Sequence, residues 1–371
     1  MRAIEVCRTP GLGGRVDVCD HCGEEEVHFH SCRNRNCPTC QSLTQNRWIE
    51  NRLERLLPTD YFHVVFTVPD ELLNGIILRN RKWFFDLLFQ AGSRTLLELG
   101  ADPKRLGAQL GATCVLHTWT RDLRFHAHLH CIVTGGGLHP DGDRWLAARE
   151  GYLFPQKVLA KLFRGKVLSA LDAAHRAGKL NLGGTCAQFA DRRTFGRLRD
   201  RLYKTPWVAY CKEPFAGPEH VYRYLGRYTH RVGLSDQRLL DFTQEDVLFR
   251  TRGQRTARLA APEFIHRFLQ HVLPTGFVKI RHYGLMASSN ATTRLEAARR
   301  LLESARPEIP TAIAALAALL LAVRPPQPPS VESWRMRLLR LTGIDPGRCP
   351  QCGIGQLRPV PLPRKPPDDT S

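Results

Sequence analysis

Residues 123–137 read Leu-Arg-Phe-His-Ala-His-Leu-His-Cys-Ile-Val-Thr-Gly-Gly-Gly, and the fold that the sequence predicts depends on this stretch. Its alternating pattern favours a β-strand, because residues i and i+2 of a strand lie on the same face. His128 and His130 therefore project from one face, and Leu129 between them projects from the other. The glycines at positions 135–137 are typical of a turn, so we expect the strand to end there.

Histidines on a buried strand are costly unless the imidazoles have partners, and two neutral imidazoles on one face can bind a divalent cation. The alternative is a set of partly exposed histidines at a strand end. A second strand is predicted at residues 111–118, joined to the first by a polar hairpin loop at 119–125. Because cross-strand neighbours lie about 5 Å apart, His117 is a candidate third ligand if the register turns it inward.

The composition indicates a polyanionic partner. The chain has 371 residues, enough for two or more domains, with 54 Lys and Arg against 35 Asp and Glu and a net charge of +19. Arginine grips phosphate bidentately, so this surplus favours nucleic acid. We expect no signal peptide, and the longest apolar run is too short to span a bilayer. We therefore expect a cytoplasmic protein with no membrane partner.

Eight of the twelve cysteines cluster near the two ends of the chain, and paired cysteines in the cytosol indicate zinc rather than disulfides. Two CxxC pairs near the N-terminus suit a tetrahedral thiolate site. The predicted zinc ligands are Cys19, Cys22, Cys37 and Cys40.

Other potential ligands leave a second ion or a mixed ligand set open. The further candidates in the N-terminal region are Cys32, Cys7, His21, His28 and His30. Near the C-terminus, Cys349 and Cys352 form one more CxxC pair. One such pair supplies only half a tetrahedron, so it would need ligands from elsewhere in the chain or from a partner.

A helix rich in tyrosine and arginine is predicted after Pro218. Tyr224 and Tyr228 are four residues apart, so both hydroxyls would project from one face of the helix. Arg223 and Arg227 form a second pair with the same spacing. The alternative is an aromatic face in the core, but the interleaved arginines and histidines argue against full burial.

Together these motifs resemble the rolling-circle transposases of the insertion sequence 91 family, which belong to the His-hydrophobe-His (HUH) endonucleases. The resemblance runs from about Ala3 to Pro361. Its segments are Cys-Asp-His-Cys-Gly at 19–23, Ser-Cys-Arg-Asn-Arg-Asn-Cys-Pro-Thr-Cys-Gln at 31–41, Phe-Thr-Val-Pro at 66–69, the histidine stretch at 126–137, Tyr-Leu-Gly-Arg-Tyr-Thr-His-Arg-Val at 224–232, and stretches at 263–274 and 280–285.

The resemblance implies an α+β fold, with a central antiparallel sheet, flanking helices and an N-terminal zinc-binding module. It also implies cleavage and rejoining of single-stranded DNA through a 5′-phosphotyrosine. Tyr224 and Tyr228 would be the nucleophiles. We favour Tyr228 to start, because Thr229, His230 and Arg231 follow it directly and could help to position the phosphate. Mg²⁺ or Mn²⁺ would lie at His128, His130 and His117, and Zn²⁺ in the cysteine module.

On this interpretation residues 1–48 form the zinc-binding module and residues 49–235 the HUH-type catalytic domain. Residues 236–323 form a basic, DNA-contacting part. Residues 324–371 comprise a proline-rich linker, the CxxC knuckle and a tail that is disordered from Pro359. The predicted DNA-binding residues are Arg33, Arg35, Arg223, Arg227, Arg231 and Arg281.

The expected partners are single-stranded or hairpin DNA at element ends and target DNA, with the protein associated with the bacterial nucleoid. The family carries a few dozen residues before its first cysteine, so the short segment before Cys7 indicates an internal start or a shortened copy. Three alternatives remain from the residues alone. They are a non-catalytic zinc-dependent nucleic-acid-binding protein, a relaxase or replication-initiator nickase, and a hydrolytic zinc enzyme using the three histidines.

Overall fold

The computed structural model describes residues 2–212, 226, 233–305 and 332–363, and the structural statements below concern these residues. The chain divides into two compact units. The smaller unit combines residues 1–40 with residues 307–371, and the larger unit comprises residues 41–306. The two ends of the chain therefore belong to one unit.

Helices and strands are both numerous among the described residues. The helices are α1 (Arg2–Glu5), α2 (Ser42–Leu53), α3 (Asp70–Arg79), α4 (Arg81–Ala101), α5 (Gln156–Arg176), α6 (Arg192–Lys204), α7 (Ala261–Gln270), α8 (Arg294–Ser304) and α9 (Trp334–Thr342). The strands are β1 (Gly14–Cys19), β2 (Glu25–Phe29), β3 (Tyr61–Thr67), β4 (Gln109–Trp119), β5 (Phe125–Leu138), β6 (Trp145–Ala147), β7 (Val208–Lys212), β8 (Leu239–Phe242), β9 (Asp246–Arg250), β10 (Thr256–Ala260), β11 (Ile280–Gly284) and β12 (Leu357–Leu362). Short 3₁₀ turns occur at Pro10–Leu12, Gly184–Ala190, Asp236–Arg238 and Ser288–Asn290.

The larger unit is built on a central antiparallel sheet. Its strands lie in the order β11-β4-β5-β3-β7, and β6 pairs with the end of β5. A separate three-stranded sheet has the order β10-β9-β8. This architecture, with helices packed on an antiparallel sheet, confirms the predicted α+β class.

The alternation of β5 assigns its residues to two faces of the sheet. The odd-numbered residues Ala127, Leu129, Cys131 and Val133 are completely buried in the main apolar core. Helix α4 approaches this face closely, because a Cβ added to Gly92 would lie 2.7 Å from Leu129 Cδ2. The even-numbered histidines occupy the opposite face, so the core fixes their direction.

The glycine run does not end β5, which continues to Leu138, so the predicted turn at 135–137 is wrong. These glycines sit where neighbouring backbone comes very close. A Cβ on Gly135 would lie 2.8 Å from the Asp60 carbonyl oxygen, and a Cβ on Gly137 would lie 2.5 Å from that of Gln109. Glycine is needed here for close strand packing rather than for chain reversal.

The smaller unit contains a three-stranded antiparallel sheet in the order β12-β1-β2. Strand β12 pairs with β1 over its whole length, from Gly14 opposite Leu362 to Cys19 opposite Leu357. The prediction of disorder from Pro359 is therefore wrong for the residues up to Leu362. Proline is tolerated there because β12 is an edge strand, which leaves one side without ladder hydrogen bonds.

No helix among the described ranges has the length and apolar character that a bilayer crossing requires.

A buried histidine fixes the loop between β4 and β5. His271 is 1% exposed, and its Nε2 lies 3.0 Å from the carbonyl oxygen of Leu123, to which it donates. Leu123 has a positive φ of 62°, a conformation that non-glycine residues rarely adopt. Burial lowers the pKa of His271 to about 4, so the imidazole stays neutral at neutral pH.

We expect His271→Leu to lower the free energy of unfolding at pH 7 by roughly 1–3 kcal/mol, because the buried Leu123 carbonyl loses its donor. Between pH 6.5 and about 4 the unfolded wild type binds a proton at His271 that the folded protein does not. Wild-type stability therefore falls with pH by up to about 1.4 kcal/mol per unit more than that of the variant. Urea unfolding at pH 7, 6 and 5 measures both effects. If the difference in unfolding free energy between wild type and His271→Leu does not shrink on acidification, this assignment is wrong. The exposed His266→Leu is the control.

Candidate functional site

Three imidazoles converge on one face of the β4–β5 hairpin. His117 lies directly opposite His128 in the ladder, and Val115 lies opposite His130. The ring centroids of His117 and His130 are 4.3 Å apart, and those of His128 and His130 are 4.8 Å apart. One ring nitrogen from each histidine lies within 4.8 Å of the others. The register thus turns His117 inward and places all three predicted ligands together.

The protonation of these histidines suits metal ligation, which requires a neutral imidazole. Burial lowers the pKa of His128 to about 4 and holds the pKa values of His117 and His130 well below the usual value. His128 Nδ1 lies 2.8 Å from the carbonyl oxygen of His126 and donates to it. This contact leaves His128 Nε2 to face a cation.

His63, on the neighbouring strand β3, was not singled out by the sequence. Its Nε2 lies 2.7 Å from His130 Nδ1, and the two rings stack with centroids 5.0 Å apart. Burial also lowers the pKa of His63 to about 4. If His130 held a cation through Nε2, its Nδ1–H would donate to His63 Nε2. The one sign in the sequence that could have identified His63 is its position inside the otherwise largely apolar strand Tyr61–Thr67.

His126 begins the histidine row but lies outside the cluster of three. Its Nδ1 lies 2.9 Å from a carboxylate oxygen of Asp70, at the start of α3. This contact ties the start of β5 to α3, so His126 pairs with a carboxylate instead of joining the three clustered histidines.

The smaller unit brings eight cysteines into two clusters, each with its four Sγ atoms within 4.8 Å of one another. The first cluster is Cys7, Cys32, Cys37 and Cys40. The second cluster is Cys19, Cys22, Cys349 and Cys352. The predicted set of Cys19, Cys22, Cys37 and Cys40 is thus wrong as a group, because each of its two CxxC pairs lies with two other cysteines.

The first cluster has the dimensions of a tetrahedral zinc site. Sulfurs about 2.3 Å from a zinc ion lie about 3.8 Å apart at tetrahedral corners. Cys7 and Cys40 are 3.5 Å apart, and Cys32 and Cys40 are 3.7 Å apart. Cys32 and Cys7, the surplus candidates of the sequence, therefore complete the Cys37/Cys40 pair, whereas His28 contacts Asp17 at 3.3 Å.

The arginines predicted to bind DNA fall into three groups. Arg33 and Arg35 are exposed on the loop that carries the first cysteine cluster. Arg281 forms an ion pair with Asp86, and its guanidinium lies 4.3 Å from the Phe89 ring centroid. The side chain of Arg281 is 27% exposed, and its assignment as a phosphate ligand stays a prediction. Arg223, Arg227 and Arg231 lie outside the described residues.

Tyr224 and Tyr228 also lie outside the described residues. Gly226, between them in the sequence, is described as helical and buried. A Cβ on Gly226 would collide with the side chain of Ile49 on α2. The absence of a side chain at this position therefore allows the chain to approach α2 closely.

Comparisons with known proteins identify the class of protein. A family described as "Transposase zinc-binding domain" matches residues 1–68, and a family described as "Putative transposase" matches residues 111–293. The protein named putative transposase y4qJ, from Sinorhizobium fredii, is 42% identical over 96% of this chain and 87% of its own length. The transposase for insertion sequence element IS801, from Pseudomonas savastanoi pv. phaseolicola, is 27% identical over 76% of this chain and 68% of its own length. No solved structure matches the chain significantly.

These matches define a transposase with a zinc-binding domain at its N-terminus, and hence a protein that processes DNA. Within that class, the chain belongs to the insertion sequence 91 family.

We expect His128→Ala to abolish Mn²⁺ binding at the three histidines and His63→Leu to weaken it by about 10–100-fold, because the partner that orients His130 is lost. His63→Gln retains an acceptor for His130 Nδ1–H and should bind Mn²⁺ more tightly than His63→Leu. Electron paramagnetic resonance of free Mn²⁺ measures the affinity, with the exposed His266→Ala as the control. Equal affinity of wild type and His63→Leu would rule out the positioning role.

Proposed function

We propose that this transposase cleaves and rejoins single-stranded DNA through a covalent 5′-phosphotyrosine, as in rolling-circle transposition. The observation that carries the proposal is the cluster of His117, His128 and His130, whose ligand nitrogens lie within 4.8 Å of one another on a rigid hairpin. Depressed pKa values keep these imidazoles neutral and available to a cation. The two tyrosines spaced for one helix face supply the candidate nucleophiles.

The three histidines would hold Mg²⁺ or Mn²⁺. Imidazole ligation favours the softer Mn²⁺, whereas Mg²⁺ is more abundant in the cell. Held there, such an ion would supply positive charge to offset that of a phosphodiester and so favour attack on phosphorus. His63 would keep His130 in the required orientation through the hydrogen bond at 2.7 Å.

The chemical step is transesterification by a tyrosine hydroxyl. The phenolic oxygen of Tyr228 or Tyr224 forms a bond to phosphorus and loses its proton, while the bond from phosphorus to the 3′ oxygen breaks. The leaving oxygen takes up a proton to become a free 3′-hydroxyl. One phosphodiester replaces another, so the DNA can be rejoined without ATP. Two tyrosines four residues apart in the sequence would allow two successive transfers.

The hydrolytic zinc enzyme uses the same three histidines but would release its products without a covalent adduct. The adduct is therefore the observation that separates the two chemistries. Tyrosine spacing alone does not determine the order of attack, and we favour Tyr228 because Thr229, His230 and Arg231 follow it directly in the sequence.

We expect the double variant Tyr224→Phe/Tyr228→Phe to form no covalent adduct with labelled single-stranded DNA in Mn²⁺, because both candidate nucleophilic oxygens are gone. One single variant should also lose the first adduct, and either should fail to complete strand transfer. A denaturing gel detects the adduct. Tyr203→Phe is the matched control, since Tyr203 is an exposed tyrosine stacked with Arg164 and should leave adduct formation unchanged. An adduct in the double variant would place the nucleophile elsewhere.

Single-stranded DNA binding should weaken steeply with salt, with a slope of about −0.7 in log K against log salt for each phosphate contacted. Arg33→Ala/Arg35→Ala should reduce the slope by about 1.4, as expected for two lost contacts. Fluorescence anisotropy over a salt series measures the slope. Arg176→Ala is the control, because Arg176 is exposed and paired with Asp172. Affinity that does not change with salt would contradict the electrostatic argument.

A further inference from the structure

Cysteine pairs from opposite ends of the chain face one another in the second cluster. Cys19 is the last residue of β1 and Cys22 follows it, whereas Cys349 and Cys352 precede β12. The family match to the zinc-binding domain covers only residues 1–68, so it contains half of these residues. The C-terminal pair thus has no role in the function proposed above.

The distances across this cluster fit one zinc ion and exclude disulfides. Cys19 Sγ lies 3.7 Å from Cys352 Sγ, and Cys22 Sγ lies 3.7 Å from Cys349 Sγ. A tetrahedral zinc with four thiolates requires about 3.8 Å between sulfurs, whereas a disulfide requires about 2.05 Å. The four atoms are thus placed as ligands of a shared ion.

The two halves of the cluster have nearly the same local structure. Each is a Cys-x-x-Cys-Gly turn, and its glycine has a positive φ, 73° at Gly23 and 67° at Gly353. In each turn the glycine N–H donates to the carbonyl of the first cysteine, at 3.1 Å for Cys19 and 3.0 Å for Cys349. Paired knuckles of this kind are the usual scaffold of a tetrathiolate zinc site.

Backbone N–H groups also point at the sulfurs, which stabilises thiolate charge. Cys19 Sγ accepts from the N–H of His21 at 3.4 Å and from that of Cys22 at 3.5 Å. Cys352 Sγ accepts from the N–H of Gly355 at 3.3 Å. Each knuckle therefore supplies donors to its own sulfur, as expected of a ligand turn.

Contacts outside the cysteines hold the knuckles in place. Strand β12 pairs with β1 in full register, and the Gln356 N–H donates to a carboxylate oxygen of Asp20 at 2.8 Å. The Arg358 guanidinium contacts the other oxygen of Asp20 at 3.2 Å. The turn that carries Cys349 and Cys352 is thus fixed to the sheet of the smaller unit through β12.

We propose that Cys19, Cys22, Cys349 and Cys352 bind a second structural zinc ion, which joins the two ends of the chain. The zinc-binding module then consists of both terminal segments, with one ion held wholly by the N-terminal segment and one shared. Loss of the C-terminal pair removes half the ligands of the shared ion and leaves the first cluster intact.

The test is the zinc content of the purified full-length protein, measured by plasma mass spectrometry after dialysis. We expect two zinc ions per chain in the wild type, one in Cys352→Ser, one in Cys37→Ser, and none in the double variant. Cys211→Ser is the matched control, because Cys211 lies outside both clusters, and it should retain two. Two ions in Cys352→Ser, or one ion in the wild type, would overturn the proposal.

A second measurement needs no variant and stands if Cys352→Ser fails to fold. Exchange of the wild-type protein with cadmium-113 should give two nuclear magnetic resonance signals in the range of four-thiolate coordination. A single signal in that range would refute the shared site even if the variants were insoluble. Because neither measurement involves DNA, the outcome is independent of the proposed strand-transfer activity.

Discussion

The pairing register of β4 with β5 is the constraint on which the candidate site depends. With His117 opposite His128, the three imidazoles share one face. A slip of one residue would turn His117 toward the buried face of Leu129 and separate the ligands. The apolar residues that alternate with the histidines oppose such a slip, since it would place their side chains on the histidine side. Packing of the core therefore also fixes the direction of the three histidines.

Burial does more than fix geometry, because it also sets the charge of the site. In water each imidazole would be partly protonated near pH 6.5, and a protonated imidazole cannot bind a cation. The low-dielectric surroundings of His117, His128, His130 and His63 penalise the charged form. Although the protein is strongly basic, the buried imidazoles of this site are neutral and can bind a cation.

Features with a short period in the sequence were predictable. The two-residue alternation of β5 predicted the histidine face, and the strand predicted at 111–118 lies within β4, Gln109–Trp119. Features set by distant segments were not. In the sequence, the glycines at 135–137 are typical of a turn, and the prolines of β12 are typical of a disordered tail. Only the partner strands show that the glycines permit close packing and that the prolines lie at an edge.

The cysteines illustrate the same limit. Proximity in sequence favoured joining Cys19/Cys22 to Cys37/Cys40, because no local pattern reveals that Cys349/Cys352 returns to the N-terminal sheet. His63 escaped notice for a similar reason, since its partner His130 is on another strand. In both cases the sequence showed which residue types were present, but not which of them contact one another in the fold.

The shared cysteine cluster also bears on how the protein is made. During synthesis Cys19 and Cys22 leave the ribosome long before their partners, since 327 residues separate Cys22 from Cys349. The half-filled site must wait until Cys352 has been translated, and a chain interrupted before that residue by a frameshift or stop codon never completes it. Intact zinc coordination at this position would then mark a polypeptide translated at least as far as Cys352, and copies of the gene interrupted upstream of it would lose this site while they could still encode the histidine hairpin.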